Sequence, residues 1–160
     1  MREKALLQAA YRYALSLTHE PPDAEDLVQE AWLRLYQKHR HRIDRPLLFT
    51  TVRNLYIDQY RRNKLIVFEP YDEQTTTADA HIIPDRVDLS DLEPALAQLR
   101  PEEREAIFLN SVEGYTIQEI ANFTDRPHGT VLSLVHRGKQ KLARLLREMW
   151  DDDRQEGTCA

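Results

Sequence analysis

Apolar positions recur at helical spacing along most of the chain, and no stretch alternates apolar and polar residues as a strand would. Leu6, Ala10, Tyr13 or Ala14, and Leu17 share one face of a helix expected over residues 3–18, with Pro21 and Pro22 closing it. Asp23 is the expected N-cap of a second helix. Asp26 stands three residues on as an imperfect capping box, and Ala24, Leu27, Val28, Ala31 and Leu35 form the buried stripe. A third helix is expected after Pro46. In LFTTVRNLYIDQYRRNK (48–64), Leu48, Val52, Leu55, Tyr56 and Gln59 fall at i, i+4, i+7, i+8 and i+11, one stripe turned toward a core.

Periodicity then lapses. Residues 66–91 hold Pro, Thr and Asp without a sustained repeat and read as a flexible acidic linker, whose apolar spots at Ile66 to Phe68 and at Ile82 and Ile83 are candidate docking points. It resumes near Leu92 with Leu92, Ala95, Leu96 and Leu99. Pro101 opens a further helix, where a missing N–H costs nothing; Glu102, Glu103 and Glu105 suit its positive end, Ile107 and Phe108 face inward, and Gly114 ends it. Thr116 and Glu119 make a T-x-x-E capping box ahead of Ile117, Ile120 and Ala121. Residues 124–127 form a turn, and a last helix from about His128 to Met149 buries Val131, Val135, Leu142 and Leu145 or Leu146. Two short helices around a tight turn are a helix-turn-helix. The expected fold is all-α: two small helical domains, 1–65 and 92–150, joined by the linker 66–91 and followed by a polar tail, 151–160.

Composition agrees, with only four glycines in 160 residues. No apolar run approaches the roughly 18 residues that span a bilayer and no signal-peptide pattern opens the chain, so a cytoplasmic protein without direct membrane insertion is expected. Cys159, the lone cysteine, has no partner for an internal disulfide.

The net charge of −5 opposes DNA binding only as a sum. Residues 1–65 hold 12 basic against 8 acidic side chains, 66–91 hold 1 against 7, and 92–150 hold 8 of each. Local field decides where a polyanion docks, so a basic first domain remains compatible with DNA, and weak binding by the isolated chain is expected.

Candidate chemistry concentrates in three places. On the third helix Arg53, Asn54, Asp58, Arg61 and Arg62 lie largely off the apolar stripe; arginines grip phosphates, Asn and Asp hydrogen-bond base edges, and Tyr56 and Tyr60 offer flat faces to unstacked bases. An ordinary solvated amphipathic helix would look much the same. In the helix-turn-helix, Arg126, His128, Thr130, Ser133, His136, Arg137, Lys139 and Lys141 are candidates for base and phosphate contacts. The basic turn QKHRHRIDRP is a connector or a loop near melted strands; its His39 and His41 lack Cys, Asp or Glu partners at ligand spacing, so neither a metal nor a cofactor is expected. No nucleophile, His and acid set is recognisable, and no small-molecule substrate or enzyme activity is expected.

Taken together, DAEDLVQEAWLRLY (23–36), the RN-x3-D-x2-R segment at 53–61 and the region from Leu99 to Leu142 with GTV opening its second helix resemble the extracytoplasmic-function group of the sigma-70 family, in that family's order. The resemblance implies a region 2-like domain followed by a region 4-like one. It implies that Asp26, Gln29 and Glu30 dock on the clamp helices of core RNA polymerase. It implies that Arg53, Asn54, Tyr56, Asp58, Tyr60, Arg61 and Arg62 meet the −10 element of promoter DNA, and that the helix-turn-helix candidates meet the −35 element. An anti-sigma factor is an implied further partner. Two readings stand beside a promoter-specific initiation factor: a sigma-like protein that binds polymerase or an anti-sigma factor without initiating, and a stand-alone helix-turn-helix regulator. One departure bears on the −35 contact. Leu132 and Leu134 occupy positions where the family usually has basic residues, and Gly138 stands where Ala is common. The two leucines contact thymine methyls, form an apolar patch for a protein, or complete local packing.

Overall fold

A computed structural model describes residues 2–40, 42–63 and 89–156. The linker reading and its apolar spots thus lie almost wholly outside the described residues, as do His41 and Cys159. The described residues are helical without strands, and the chain divides into two compact units.

The first unit packs α1 (Arg2–Thr18), α2 (Pro21–His39) and α3 (Arg45–Asn63) against one another. Its core is lined by Ala9, Ala10, Tyr13, Ala14 and Leu17 of α1, Ala24, Leu27, Val28, Ala31 and Leu35 of α2, and Leu48, Phe49, Val52 and Leu55 of α3. Alanines let the backbones approach, and the large volume comes from Tyr13 and Phe49, whose rings stack with centroids 4.7 Å apart. Phe49, absent from the expected stripe, is fully buried, while Tyr56 and Gln59 are half-buried.

Pro21 and Pro22 do not close α1. His19, at φ +54°, ends it, and the two prolines form the first turn of α2, where their fixed φ suits the helix and no N–H is needed. The N-cap is therefore Glu20, which makes no side-chain cap, and Asp23 sits within the first turn instead of capping it. For α3 the cap is Asp44, whose Oδ1 accepts the Leu47 N–H at 2.9 Å.

The second unit is built on α7 (His128–Glu156). α4 (Leu89–Ala97) packs Ala95, with Leu92 and Leu96, on Leu142, Leu145, Leu146 and Met149. α5 (Pro101–Ile107) follows and continues as a π-helical turn, Phe108–Val112. Its inward face differs from expectation. Glu103, Arg104, Glu105 and Ala106 are buried, whereas Ile107 and Phe108 are half-buried. Arg104 goes inside because its Nη1 donates to the carbonyls of Leu99 at 3.0 Å and Leu96 at 3.3 Å, satisfying acceptors at the end of α4. Gly114, at φ +74°, turns the chain out of the π-helical segment, and the Tyr115 N–H closes back on Leu109 O at 2.8 Å.

The capping box forms as read: Thr116 Oγ1 accepts from the Glu119 N–H at 3.1 Å, and Glu119 Oε1 accepts from the Thr116 N–H at 3.3 Å. It starts α6 (Ile117–Thr124), which Asp125 ends at φ +54°. α7 extends past the expected Met149 to Glu156, since neither Gly nor Pro interrupts the chain between Gly138 and Gly157. Gly138 packs closely against Ile107 of α5. A Cβ there would lie 2.5 Å from Ile107 Cδ1 and 3.1 Å from Ile107 Cγ1.

Candidate polymerase and nucleic-acid interfaces

On α2, burying Ala24, Leu27, Val28, Ala31 and Leu35 turns the opposite face to solvent. Asp26 and Gln29 are exposed there, and Glu30 is half-buried with its carboxylate paired to Arg34 one turn on. The same face carries two apolar side chains that the sequence reading missed, Leu33 at 59% exposure and Tyr36 at 45%. Trp32 stacks beside Tyr36, with ring centroids 6.4 Å apart. Positions 26, 29 or 30, 33 and 36 follow the helical repeat opposite the buried stripe, so periodicity alone was enough to find them. An acidic end beside an exposed aliphatic and aromatic patch is suited to a basic, amphipathic protein partner.

α3 presents its candidates as two stripes, one to each side of the buried one. Asn54, Asp58 and Arg61 fall at i, i+4 and i+7 and are all exposed, with Arg62 exposed beside them. Arg53, Tyr56 and Tyr60 fall at i, i+3 and i+7 and are half-buried; the two tyrosine rings lie 5.8 Å apart and are tilted by 34°. Asn54 and Asp58 line a cleft of about 350 Å³ between α2 and α3, opposite Arg34 and Lys38 of α2. A cleft with cations on one wall and an amide and a carboxylate on the other can take a polar, anionic edge such as a base with its phosphate.

In the helix-turn-helix, Arg126 is held within the fold: its Nη1 lies 3.3 Å from Oε2 of Glu105, a side chain only 3% exposed. Glu103, two residues before Glu105 on α5, is also buried, and its Oε2 has no hydrogen-bond partner among the described residues. Burial pushes the Glu103 carboxyl above its usual value, against the opposing pull of Lys141 and Arg100, a further push from Glu102 and a weaker pull from Arg137. His128 and His136 are exposed, and Thr130, Ser133 and Lys139 are half-buried. The structure separates the two leucines. Leu134 is 2% exposed and completes the core beside Val131 and Val135, whereas Leu132 remains 38% exposed.

Both units have counterparts among known proteins. Residues 4–66 match the family described as Sigma-70 region 2, and residues 89–142 match Sigma-70, region 4. SigL of Mycobacterium tuberculosis, an ECF RNA polymerase sigma factor, is 34% identical over 166 residues, covering 92% of this chain and 92% of SigL. SigE of Mycolicibacterium smegmatis, another ECF sigma factor, is 34% identical over 141 residues; the match takes in 82% of this chain and 55% of SigE. Among solved structures, the complex of the sigma factor RpoE with the anti-sigma factor NepR from Bartonella quintana matches with a TM-score of 0.66 and 26% identity, covering 89% of this chain and 92% of the other. With both regions matched in order and a relative of nearly equal length aligned almost end to end, the chain belongs to the ECF RNA polymerase sigma factors of the sigma-70 family.

Proposed function

We propose that this sigma factor binds core RNA polymerase through the outer face of α2 and directs it to promoters that α3 and the helix-turn-helix read at the −10 and −35 elements. The observation that supports this most is that each unit spends one set of side chains on its own core and leaves the opposite, chemically distinct set in solvent. In the first unit that set is Asp26, Gln29, Leu33 and Tyr36 on α2, with Asn54, Asp58, Arg61 and Arg62 on α3. Tyr56, Tyr60 and Arg53 supply stacking and phosphate contacts along the other edge of α3. In the second unit the outward residues of α7 meet duplex DNA. Two small domains on one chain, each holding a weak site, gain effective concentration from their connection and from a shared polymerase.

No bond is made or broken by the sigma factor in this reading, and the polymerase supplies the chemistry. The protein works in the cytoplasm with the polymerase; among the described residues no helix is long and apolar enough to cross a membrane. An anti-sigma factor is a further proposed partner, in line with the complex in which the Bartonella sigma factor was solved.

The test is transcription from fragmented source DNA by core polymerase with and without the protein, with 5′ ends mapped. Discrete starts that depend on the protein and share upstream motifs are expected. Replacing Asn54 and Arg61 together by Ala should abolish those starts while leaving core binding intact; replacing Gln29 and Glu30 by Ala should weaken core binding first. Wild-type behaviour of both pairs would overturn the residue assignment, and a stable complex with core that yields no starts would favour a non-initiating role.

A further inference from the structure

The outward surface of α7 has a feature that phosphate binding does not explain. From His128 to Arg147 the helix carries five Lys or Arg residues and no Asp or Glu, a field suited to a polyanion. His128, Leu132, His136 and Lys139 fall at i, i+4, i+8 and i+11 and share one stripe. His128, Leu132 and His136 on it are exposed and Lys139 is half-buried. In the middle of this polar, basic stripe stands a leucine. Its neighbours Val131, Leu134 and Val135 already fill the space beneath the helix, so Leu132 is not needed to close the core. Gly129, one turn before it, is exposed, and a Cβ built there meets nothing within 4 Å. No contact among the described residues calls for glycine at that position, and its lack of a side chain leaves the surface beside Leu132 low enough for close approach.

The N-terminal half of the second helix of a helix-turn-helix lies in the major groove. An aliphatic side chain finds one apolar partner on the base edges of that groove, the C5-methyl group of thymine. We propose that Leu132 reads a thymine of the −35 element by packing on its C5-methyl group, so that one A·T pair there is specified by an apolar contact. This rests on the reading of α7 as the helix that meets the −35 element.

The proposal is tested with wild-type and Leu132→Ala holoenzymes, the substitution being at an exposed helical site that favours alanine. A promoter taken from the mapped starts is prepared with each thymine of its −35 element, on either strand, replaced singly by deoxyuridine, which removes the methyl group alone. Competition for open-complex formation is the readout. At one position deoxyuridine should weaken the wild-type holoenzyme about 4-fold, the effect of one buried methyl-sized group, and leave the Leu132→Ala holoenzyme unchanged. Equal responses of the two holoenzymes at every position would overturn the thymine contact, while loss of activity on scrambling the −35 block would show that the underlying −35 reading still stands. Indifference of the wild type to that scrambling would overturn both. Weaker assembly of Leu132→Ala with core polymerase, without any change in methyl discrimination, would assign Leu132 to a protein contact and sink the proposal.

Discussion

A carboxyl group removed from water favours its protonated form, and Glu103 is placed that way, buried against α7 with Oε2 unpaired. Its folded-state pKa is raised above the ordinary 4.5. Between that value and its folded-state value the native chain holds more protons than the unfolded one, so stability falls as pH rises through this window, and above it the full penalty applies. Glu103→Gln cannot ionise. It should therefore be more stable than wild type near neutral pH, by on the order of 1 kcal/mol, with the difference closing as the pH is lowered to about 4.5. Thermal melts of the two proteins across that range measure this, and parallel profiles would show that Glu103 is solvated after all. Glu105 shows the other way of burying an acid: the guanidinium of Arg126, a candidate for DNA contact, lies at 3.3 Å from it. Neither outcome was legible beforehand, because three glutamates after Pro101 also suit the solvated first turn of a helix.

At the scale of elements, α5 and α7 meet through a missing side chain. Read along the chain, Gly138 is a weak point in a long helix, costing about 1 kcal/mol relative to Ala. Across the interface it is the space into which Ile107 fits. An added Cβ at 2.5 Å from Cδ1 and 3.1 Å from Cγ1 cannot be cleared by turning the end of the isoleucine alone. Overpacking of this kind costs about 1 to 3 kcal/mol, which outweighs the gain in helix propensity. Gly138→Ala should lower stability by on the order of 1 kcal/mol, and adding Ile107→Val, which removes Cδ1 and leaves a γ carbon at 3.1 Å, should recover part of that loss. A stabilised single variant in chemical denaturation would refute the close contact. Local signals served better elsewhere: the Thr116 and Glu119 capping box needs only residues three apart, and it formed as its spacing required. The two prolines at 21 and 22 misled because proline is at home both after one helix and at the start of the next; the left-handed His19 decides between these.

For the whole molecule the charge distribution sets what the protein does unaided. The sum is −5, with the basic side chains gathered in the first 65 residues and along α7 and seven acids within 66–91. Phosphate contacts account for most of non-specific affinity and weaken steeply with salt. With a net charge of −5 and its two DNA-reading units not held together by polymerase, the isolated chain should bind weakly and discriminate a promoter duplex from a scrambled one by less than about tenfold near 0.15 M salt, where free-standing sequence readers reach about 10³ or more. Fluorescence anisotropy on the two duplexes measures it. Strong sequence-specific binding without polymerase would point instead to a stand-alone regulator.

What the sequence by itself determined is what depends on residues close along the chain. Helical repeats, the Thr116 and Glu119 capping box, the Gly114 turn and the order of the motifs established an all-α chain with two helical units and a helix-turn-helix in the second, since each is decided within a few turns. The repeat also sufficed to place Leu134 among Val131, Val135 and Leu142, had it been followed at i+3 as well as i+4. Only the tertiary structure decided which acids of α5 are buried, that Arg126 answers Glu105 from 21 positions away, and that Gly138 is an interface and not a defect. The physical reason is that burial, pairing and steric fit are properties of two surfaces together, and the second surface lies elsewhere in the chain.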